Sequence, residues 1–437
     1  MAPPDLRVLI VAENVGSHGG EPALPFQYFR LMRSRGIEAW LVTHARCRAQ
    51  LEAALPQEME RIHFVPDTLA QKILWQIGRP LPLTMSRFTT GTLLHLITQS
   101  KQRPVVRRLV PQHSIDVVHE PMPISPREPS MMYGVGAPVV IGPLVGAMDY
   151  PPAFRHKEGR LTRLVVSLGR VTANRLNRLI PGKLLATTLI VANQRTKAAL
   201  PAGFRGQVEQ MWESGVDTSV WQPPEVGFTQ KGPPIRFACM GRLIALKAID
   251  ILLEAFKVVA EQVDCTLEIV GDGPDRRNLE SMAETLGVSA RVSFPGWLSP
   301  GQAVTRLQKA DVFVFPSLHD AGATVVAEAM AVGLPVVTTN WGGQADFVNE
   351  QCGIRVDPTS PQSLASGLAN AMLALARSCD LRLRMGRSGR QRAVDLLDWN
   401  AKVNRMLRIY QDTIARAKIA SERVPGLSLA ELSSSST

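Results

Sequence analysis

Residues Asp311 to Asp346 read DVFVFPSLHDAGATVVAEAMAVGLPVVTTNWGGQAD. The opening run, Asp311 to Phe315, has the length and apolar character of a buried strand. A loop follows that carries Pro316, Asp320 and Gly322. The next residues are almost wholly apolar and predict a short helix with one acid, Glu328, in its middle. A second apolar strand, Pro335 to Thr339, then leads to Gly342 and Gly343. Strand, loop, helix and strand form the repeating unit of a parallel α/β sheet. Ligands of such sheets bind at the carboxyl ends of the strands, where this loop is expected.

Glu328 is flanked by Val325, Val326, Ala327, Ala329, Met330, Ala331 and Val332. A helix apolar nearly all round is a buried helix. A carboxylate inside it is costly without a partner. That partner is either an Arg in a structural ion pair or a set of ligand hydroxyls. Asp320, across a loop suited to ligand approach, favours the ligand.

Asp320, seven residues, Glu328, then AMAVGLPVV and Gly342-Gly343 resembles the signature of family 4 retaining glycosyltransferases. The resemblance implies two Rossmann-like domains facing across a cleft (the GT-B fold), with C-terminal helices crossing back onto the first. It also implies transfer of a glycosyl group from a UDP- or GDP-sugar to a hydroxyl acceptor, in polysaccharide or glycolipid synthesis. Glu328 would then accept hydrogen bonds from the ribose hydroxyls, and Asp320 would contact the sugar. Gly322, with the helix N-terminus at Ala323 and Thr324, would offer backbone N–H groups to the phosphates.

The likeness extends in both directions. Ile235 to Gly241 is a strand, and Arg242 and Lys247 follow it. Two cations at one strand end suit a diphosphate, where Arg offers a planar fork and Lys a point charge. Gly241, Arg242, Leu243, Lys247 and Asp250 are similar to the family's pattern, with Ala248 in place of the usual Gly. Strand Thr266 to Val270 enters Gly271-Asp272-Gly273-Pro274, a strand-to-helix turn. Strand Arg291 to Trp297 follows. Past the signature, Cys352-Gly353 and a helical tail with Trp399 resemble the family's ending.

Upstream, Pro223 to Pro234 is rich in Pro and Gly and predicts a linker. The expected domains are therefore 1–222 on the acceptor side and 235–398 on the nucleotide-sugar side. A return helix over 399–419 and a disordered tail over 420–437 complete the reading. Further strands are expected at Leu6 to Ala12, Gly36 to Thr43, Ile115 to His119, Pro138 to Gly142 and Leu189 to Ala192. After the first comes ENVGSHGGE, then a helix from Pro22 to Arg35. A Gly-rich turn before a helix lets N–H groups approach a phosphate, although a lone Gly pair is a weak signal. In the resemblance Gly19 and Gly20 line the cleft near the donor diphosphate and the acceptor. His119 ends its strand; an isolated His is more often structural, and the resemblance raises it to a candidate catalytic residue near the transferred sugar. The catalytic set expected on this reading is His119, Asp320, Arg242 and Lys247.

Several positions depart from the family: Asp320 and Asp346 for Glu, Ala321 for Gly, Ser214 for Asn in the Glu213 to Asp217 stretch, and Val145-Gly146 for a Gly pair. They bear on which sugar is carried. Two rivals remain, a nucleotide-sugar epimerase and a non-catalytic nucleotide-sugar-binding protein. The retained cations and the Asp320–Glu328 spacing argue against both.

The chain of 437 residues exceeds one ordinary core. Its five cysteines are scattered with no metal spacing, and no Asp-x-Asp pair stands in a suitable place. No metal and no cofactor is expected. Net charge is +11, which points to an anionic partner; the absence of nucleic-acid motifs leaves a nucleotide or a membrane surface. Arg155 to Arg205 holds eleven Lys or Arg and one acid, Glu158, while Leu161, Leu164, Val165, Leu168 and Val171 recur at helical spacing. No acid stands between Asp67 and Asp116. An apolar stripe edged by Arg suits an anionic bilayer. The expected chain is cytoplasmic, with peripheral attachment to the inner face of the plasma membrane, and takes a glycan or lipid-linked acceptor.

Overall fold

The computed structural model describes residues 5–17, 20–81, 86–157, 159–225 and 234–422. They divide into two units. One comprises Met1–Ala147, Gly159–Glu213 and Lys402–Thr437, the other Met148–Glu158 and Ser214–Ala401. The division differs from the expected one at three places: residues 148–158, 214–222 and 399–401 group with the second unit. Most of the expected linker, residues 226–233, and the tail beyond residue 422 lie outside the described residues.

The first unit is built on a seven-stranded sheet: β1 (Arg7–Val11), β2 (Glu38–His44), β3 (Ile62–Val65), β4 (Val117–Glu120), β5 (Val139–Leu144), β6 (Thr188–Val191) and β7 (Gln207–Gln210). Its order is β3-β2-β1-β4-β5-β6-β7, and every pairing is parallel. Helices cover both faces of a parallel sheet, so its central strands are continuous apolar runs rather than alternating ones. Val8 to Val11 and Val117 to Val118 are buried accordingly. Leu9, Val11, Val42, Val118, Ile141 and Leu189 form the core. The last helix, Trp399–Glu422, belongs to this unit from Lys402 onward. Thr413 on it hydrogen-bonds Thr188 of β6 at 2.8 Å.

The second unit carries a six-stranded parallel sheet: β8 (Ile235–Met240), β9 (Cys265–Val270), β10 (Val292–Gly296), β11 (Val312–Phe315), β12 (Val336–Thr339) and β13 (Gly353–Val356). The order is β10-β9-β8-β11-β12-β13. Phe237, Leu252, Phe256, Ile269, Val314 and Leu368 lie in its core. Both sheets reverse their strand order once, between β1 and β4 and between β8 and β11. At such a reversal the loops on either side diverge and leave a crevice at the carboxyl ends. This topology places loops 241–248 and 316–323 at the reversal of the second sheet.

Among the described residues, no helix is long and apolar enough to cross a membrane. The Arg160–Leu179 helix does leave Leu164, Leu168 and Val171 between 62% and 69% exposed. The side chains of Leu161 and Val165 lie outside those described, as does Glu158. Arg163, Arg175 and Arg178 on the same helix are exposed. Lys183, counted in the basic segment, is by contrast buried, and its ammonium donates to the Ser125 carbonyl.

Candidate functional site

The helix after β11 runs from Thr324 to Val332 and is buried along Val326, Ala327, Ala329, Met330, Ala331 and Val332. Thr324, Val325 and Glu328 are its only half-open positions and fall on one side, one turn apart. Glu328 has no hydrogen-bond or ion-pair partner among the described residues, so the structural ion pair is not formed there. Burial with nothing to offset it pushes its carboxyl group up to about 8. A protonated, unpartnered acid on the open side of a buried helix is suited to exchange hydrogen bonds with hydroxyls.

The loop before that helix is held by the Asp320 side chain. The Asp320 Oδ1 accepts from the Ala323 N–H at 3.1 Å, and its Oδ2 takes an ion pair from Lys247. Lys247 lies 4.9 Å from the centre of the Phe315 ring, which adds a cation–π contact. The cation after β8 and the acid after β11 thus meet at the reversal of the sheet. A diphosphate reaching Lys247 would compete with Asp320 for it. Arg242, on the same loop as Lys247, is exposed and has no side-chain partner among the described residues.

Two alanines set the backbone. Ala248 caps the Ile249–Ala260 helix at φ 51° and ψ 38°, and Ala323 caps the Thr324–Val332 helix at φ 42° and ψ 41°. Both are left-handed, a region that costs a residue with a Cβ about 1–2 kcal/mol. The Ala248 geometry explains why Gly is the usual residue there. In the signature loop the left-handed position is Ala323, while Ala321 is not at positive φ. Strain of this kind at two helix starts beside one crevice is characteristic of ligand clamps.

Three glycines make the close approaches that fix the crevice. A Cβ on Gly343 would stand 2.0 Å from the Ala321 carbonyl oxygen, and the Gly343 N–H donates to the Asp320 carbonyl at 2.8 Å. A Cβ on Gly271 would stand 1.9 Å from the Gly241 oxygen, and one on Gly273 2.2 Å from that of Leu243. The Gly271–Pro274 turn is therefore a brace for the Arg242 loop, as its sequence suggests. Ser214, in the hinge-like stretch, donates to the Gly322 carbonyl at 2.7 Å and lies 3.3 Å from the Thr324 hydroxyl. Sequence reasoning noted Ser214 only as a departure and missed this tether. It also missed His319, whose ring packs on Tyr150 at 5.0 Å and whose Nε2 lies 3.3 Å from the Met148 carbonyl oxygen.

His119, Gly19 and Gly20 belong to the first unit. Gly19 is outside the described residues. Gly20 has φ 82°, a Cβ there would stand 3.9 Å from the Pro22 Cδ, and its carbonyl accepts from the Ala23 N–H at 3.1 Å, so it serves the entry turn of the Ala23–Ser34 helix. His119 is fully buried. Its Nε2 lies 2.7 Å from the Gly142 carbonyl and its Nδ1 2.7 Å from the Tyr410 hydroxyl. The neutral imidazole satisfies both, with Nε2–H donating and Nδ1 accepting. Burial lowers its pKa to about 4, and the Gly142 bond offsets this only in part. A sugar hydroxyl would have to displace one of those partners to reach the ring. No group of three metal-type side chains gathers among the described residues.

Residues 227–392 match the family of glycosyl transferases group 1. The lipopolysaccharide core biosynthesis glycosyltransferase LpsE of Rhizobium meliloti is 37% identical over 36% of this chain and 43% of its own length. A GDP-mannose-dependent alpha-(1-6)-phosphatidylinositol monomannoside mannosyltransferase of Mycolicibacterium smegmatis is 27% identical over 69% of this chain and 78% of its own. The chain spans 33% to 52% of the length of five curated relatives it matches. HepE of Anabaena, solved in complex with UDP, superposes with a TM-score of 0.60 at 16% identity, covering 93% of this chain and 100% of HepE. The two-Rossmann-domain fold is thus shared with that structure.

Proposed function

We propose, for a chain whose residues 227–392 match the group 1 glycosyltransferase family, a retaining transferase that moves a glycosyl group from a UDP- or GDP-sugar to a hydroxyl of a glycan or lipid-linked acceptor. The observation that carries this reading is the crevice at the β8/β11 reversal. In this reading Arg242 and Lys247, on the loop after β8, face Asp320 and Glu328, which follow β11 and of which Glu328 has no partner among the described residues. The anomeric carbon–oxygen bond to the diphosphate breaks with its electron pair going to the phosphate oxygen. The acceptor oxygen takes its place on the same face, and the acceptor's proton goes to the departing phosphate. Charge grows most on the diphosphate, so Arg242 and Lys247 stabilise the transition state more than the ground state. In this reading those cations, rather than a metal ion, neutralise the leaving group. The N–H groups at the start of the Thr324–Val332 helix add to that field. Asp320, released as Lys247 turns to phosphate, is free to take a sugar hydroxyl, and Glu328 takes the ribose.

The relatives include enzymes named for lipopolysaccharide and phosphatidylinositol mannoside synthesis. The exposed stripe Leu164, Leu168 and Val171 with its flanking Arg side chains gives the first unit a surface that fits an anionic leaflet. Peripheral attachment on the cytoplasmic side is part of the proposal.

The test is a panel of UDP- and GDP-sugars incubated with the full chain, with products resolved by NMR. Free sugar and nucleoside diphosphate from one donor are expected. Arg242→Ala and Lys247→Ala should each lose about 2–4 kcal/mol of transition-state stabilisation. An epimerised nucleotide sugar, or unchanged turnover in both variants, overturns the reading.

A further inference from the structure

The first sheet has its own reversal, between β1 and β4, and polar groups converge on it that the donor crevice does not use. Glu13 follows β1, His44 ends β2, Asp67 follows β3 and Glu120 ends β4. The Thr92–Gln112 helix covers them with a buried face whose first half is polar: His95, Thr98, Gln99 and Gln102. Most of these groups are satisfied internally. Gln71 donates to Thr98 at 2.8 Å, Gln102 donates to the Ala12 carbonyl at 3.0 Å, and Gln99 and Ser130 both donate to Glu120.

Glu13 stands apart. Its backbone carbonyl is fixed by the Thr43 hydroxyl at 3.3 Å and the Cys47 thiol at 3.8 Å. Its carboxylate has one partner among the described residues, the His95 Nδ1 at 3.4 Å, and its side chain is 17% exposed. A carboxylate has about four acceptor positions, and the described residues fill one of them. His95 is 96% buried by residue, and its Nε2 has no partner among the described residues. Burial opposes ionisation of Glu13, yet the His95 bond and charge, with Arg46 and His44, hold its carboxyl group below the usual range. Burial likewise opposes protonation of His95, and Glu13, Glu128 and Glu120 outweigh it. At the rim Arg46 and Asp67 stand 3.9 Å apart, 40% and 41% exposed.

We infer that Glu13, positioned from behind by His95, accepts a hydrogen bond from a hydroxyl of a neutral polyol acceptor. A carboxylate accepts only, so it selects donors. The adjacent Arg46–Asp67 pair offers a donor and an acceptor to neighbouring hydroxyls. At the rim Glu13 and Asp67 are set against Arg46 and His95, with the His44 Nε2 3.4 Å from Asp67, so the charges there are mixed, which disfavours a phosphate-bearing or strongly cationic group at this point. The inference rests on the transferase reading only in calling the polyol the acceptor; the binding itself is independent of it.

The experiment is NMR of the histidine Cε1–H signals in the full chain, titrated with neutral polyols and methyl glycosides, myo-inositol among them. The His95 signal is assigned by its loss in His95→Gln. At least one polyol should shift that signal in the wild-type chain. Glu13→Gln should weaken that binding about tenfold or more, while Glu13→Asp restores part of it. His95→Gln should weaken it in a pH-dependent manner across the wild-type His95 titration. UDP or GDP binding should be unchanged in all three variants. A His95 signal that no polyol moves, or equal polyol affinity in wild type and Glu13→Gln, overturns the inference. Failure of the wild-type chain to bind UDP and GDP overturns the donor reading instead, and leaves the polyol result standing on its own.

Discussion

Glu328 has no hydrogen-bond or ion-pair partner among the described residues, so its proton is coupled to folding. Its carboxyl group sits at about 8 in the folded chain against 4.5 for the free group. Because the folded value is the higher one, the stability it contributes is complete below about 4.5 and is lost as pH rises to about 8. Glu328→Gln should therefore show a flatter stability profile than wild type across that window, read from urea midpoints at several pH values. The same variant should bind nucleoside diphosphate more weakly by about 1 kcal/mol, the scale of a hydrogen bond to ribose. Parallel profiles would mean that Glu328 is ionised in the fold through a partner. Gly343 gives a second prediction at this scale. A Cβ there meets a backbone oxygen at 2.0 Å, whereas a Cβ on Gly301 meets nothing. Gly343→Ala should cost about 1–3 kcal/mol through displacement of the Asp320 loop. Gly301→Ala, in the Pro300–Leu307 helix, should be neutral or stabilise by about 0.5–1 kcal/mol. Equal melting temperatures for the two would contradict the close packing of loop on loop.

Among the elements, the return helix is tied to the first sheet by Tyr410, which donates to His119. Tyr410→Phe leaves a buried imidazole nitrogen unsatisfied and should destabilise the chain by about 1–3 kcal/mol. His119 titrates near 4, below the 6.5 of the free group, so its stabilising contribution is present above about 6.5 and is lost as pH falls toward about 4. His119→Gln should flatten that acid limb. If the His touches sugar instead, Tyr410→Phe would leave the denaturation midpoint untouched and reduce turnover. The elements themselves were legible wherever burial wrote a long apolar run: β1, β8, β11 and β12 fall within a residue or two of their sequence bounds. Strands β3, β7 and β13 were not. Ile62–Val65 and Gly353–Val356 interrupt their apolar residues with His or Arg, and β7 is the polar sheet edge QVEQ. The signature cations and acids were legible because each lies near a strand end in sequence. The contacts of His119 and Glu13 were not, because their partners are remote: Tyr410 is 291 residues away and His95 is 82 residues away. A spacing rule cannot report a contact of that separation.

At the scale of the whole chain, net charge is +11, and the exposed apolar stripe with its Arg side chains is confined to the first unit. Co-sedimentation with anionic vesicles should exceed that with neutral vesicles and should fall as salt rises, with each cation near the surface contributing about 1 kcal/mol. Leu164→Glu together with Leu168→Glu should abolish it, while leaving nucleoside-diphosphate binding in the second unit intact. Equal recovery on both vesicle types would refute electrostatic docking. The discontinuous make-up of the first unit also bears on the order of its synthesis. Its sheet is complete by Gln210, but Lys402, Tyr410 and Thr413 are still untranslated at that point. At roughly 5–20 residues per second the ribosome needs about fifteen seconds to a minute to travel from His119 to Tyr410. Throughout that interval the nascent sheet carries a vacant seat for its final helix, with the His119 nitrogen exposed. The first unit can thus close only after the second has been synthesised, and chaperone engagement of the nascent chain is expected at that seat.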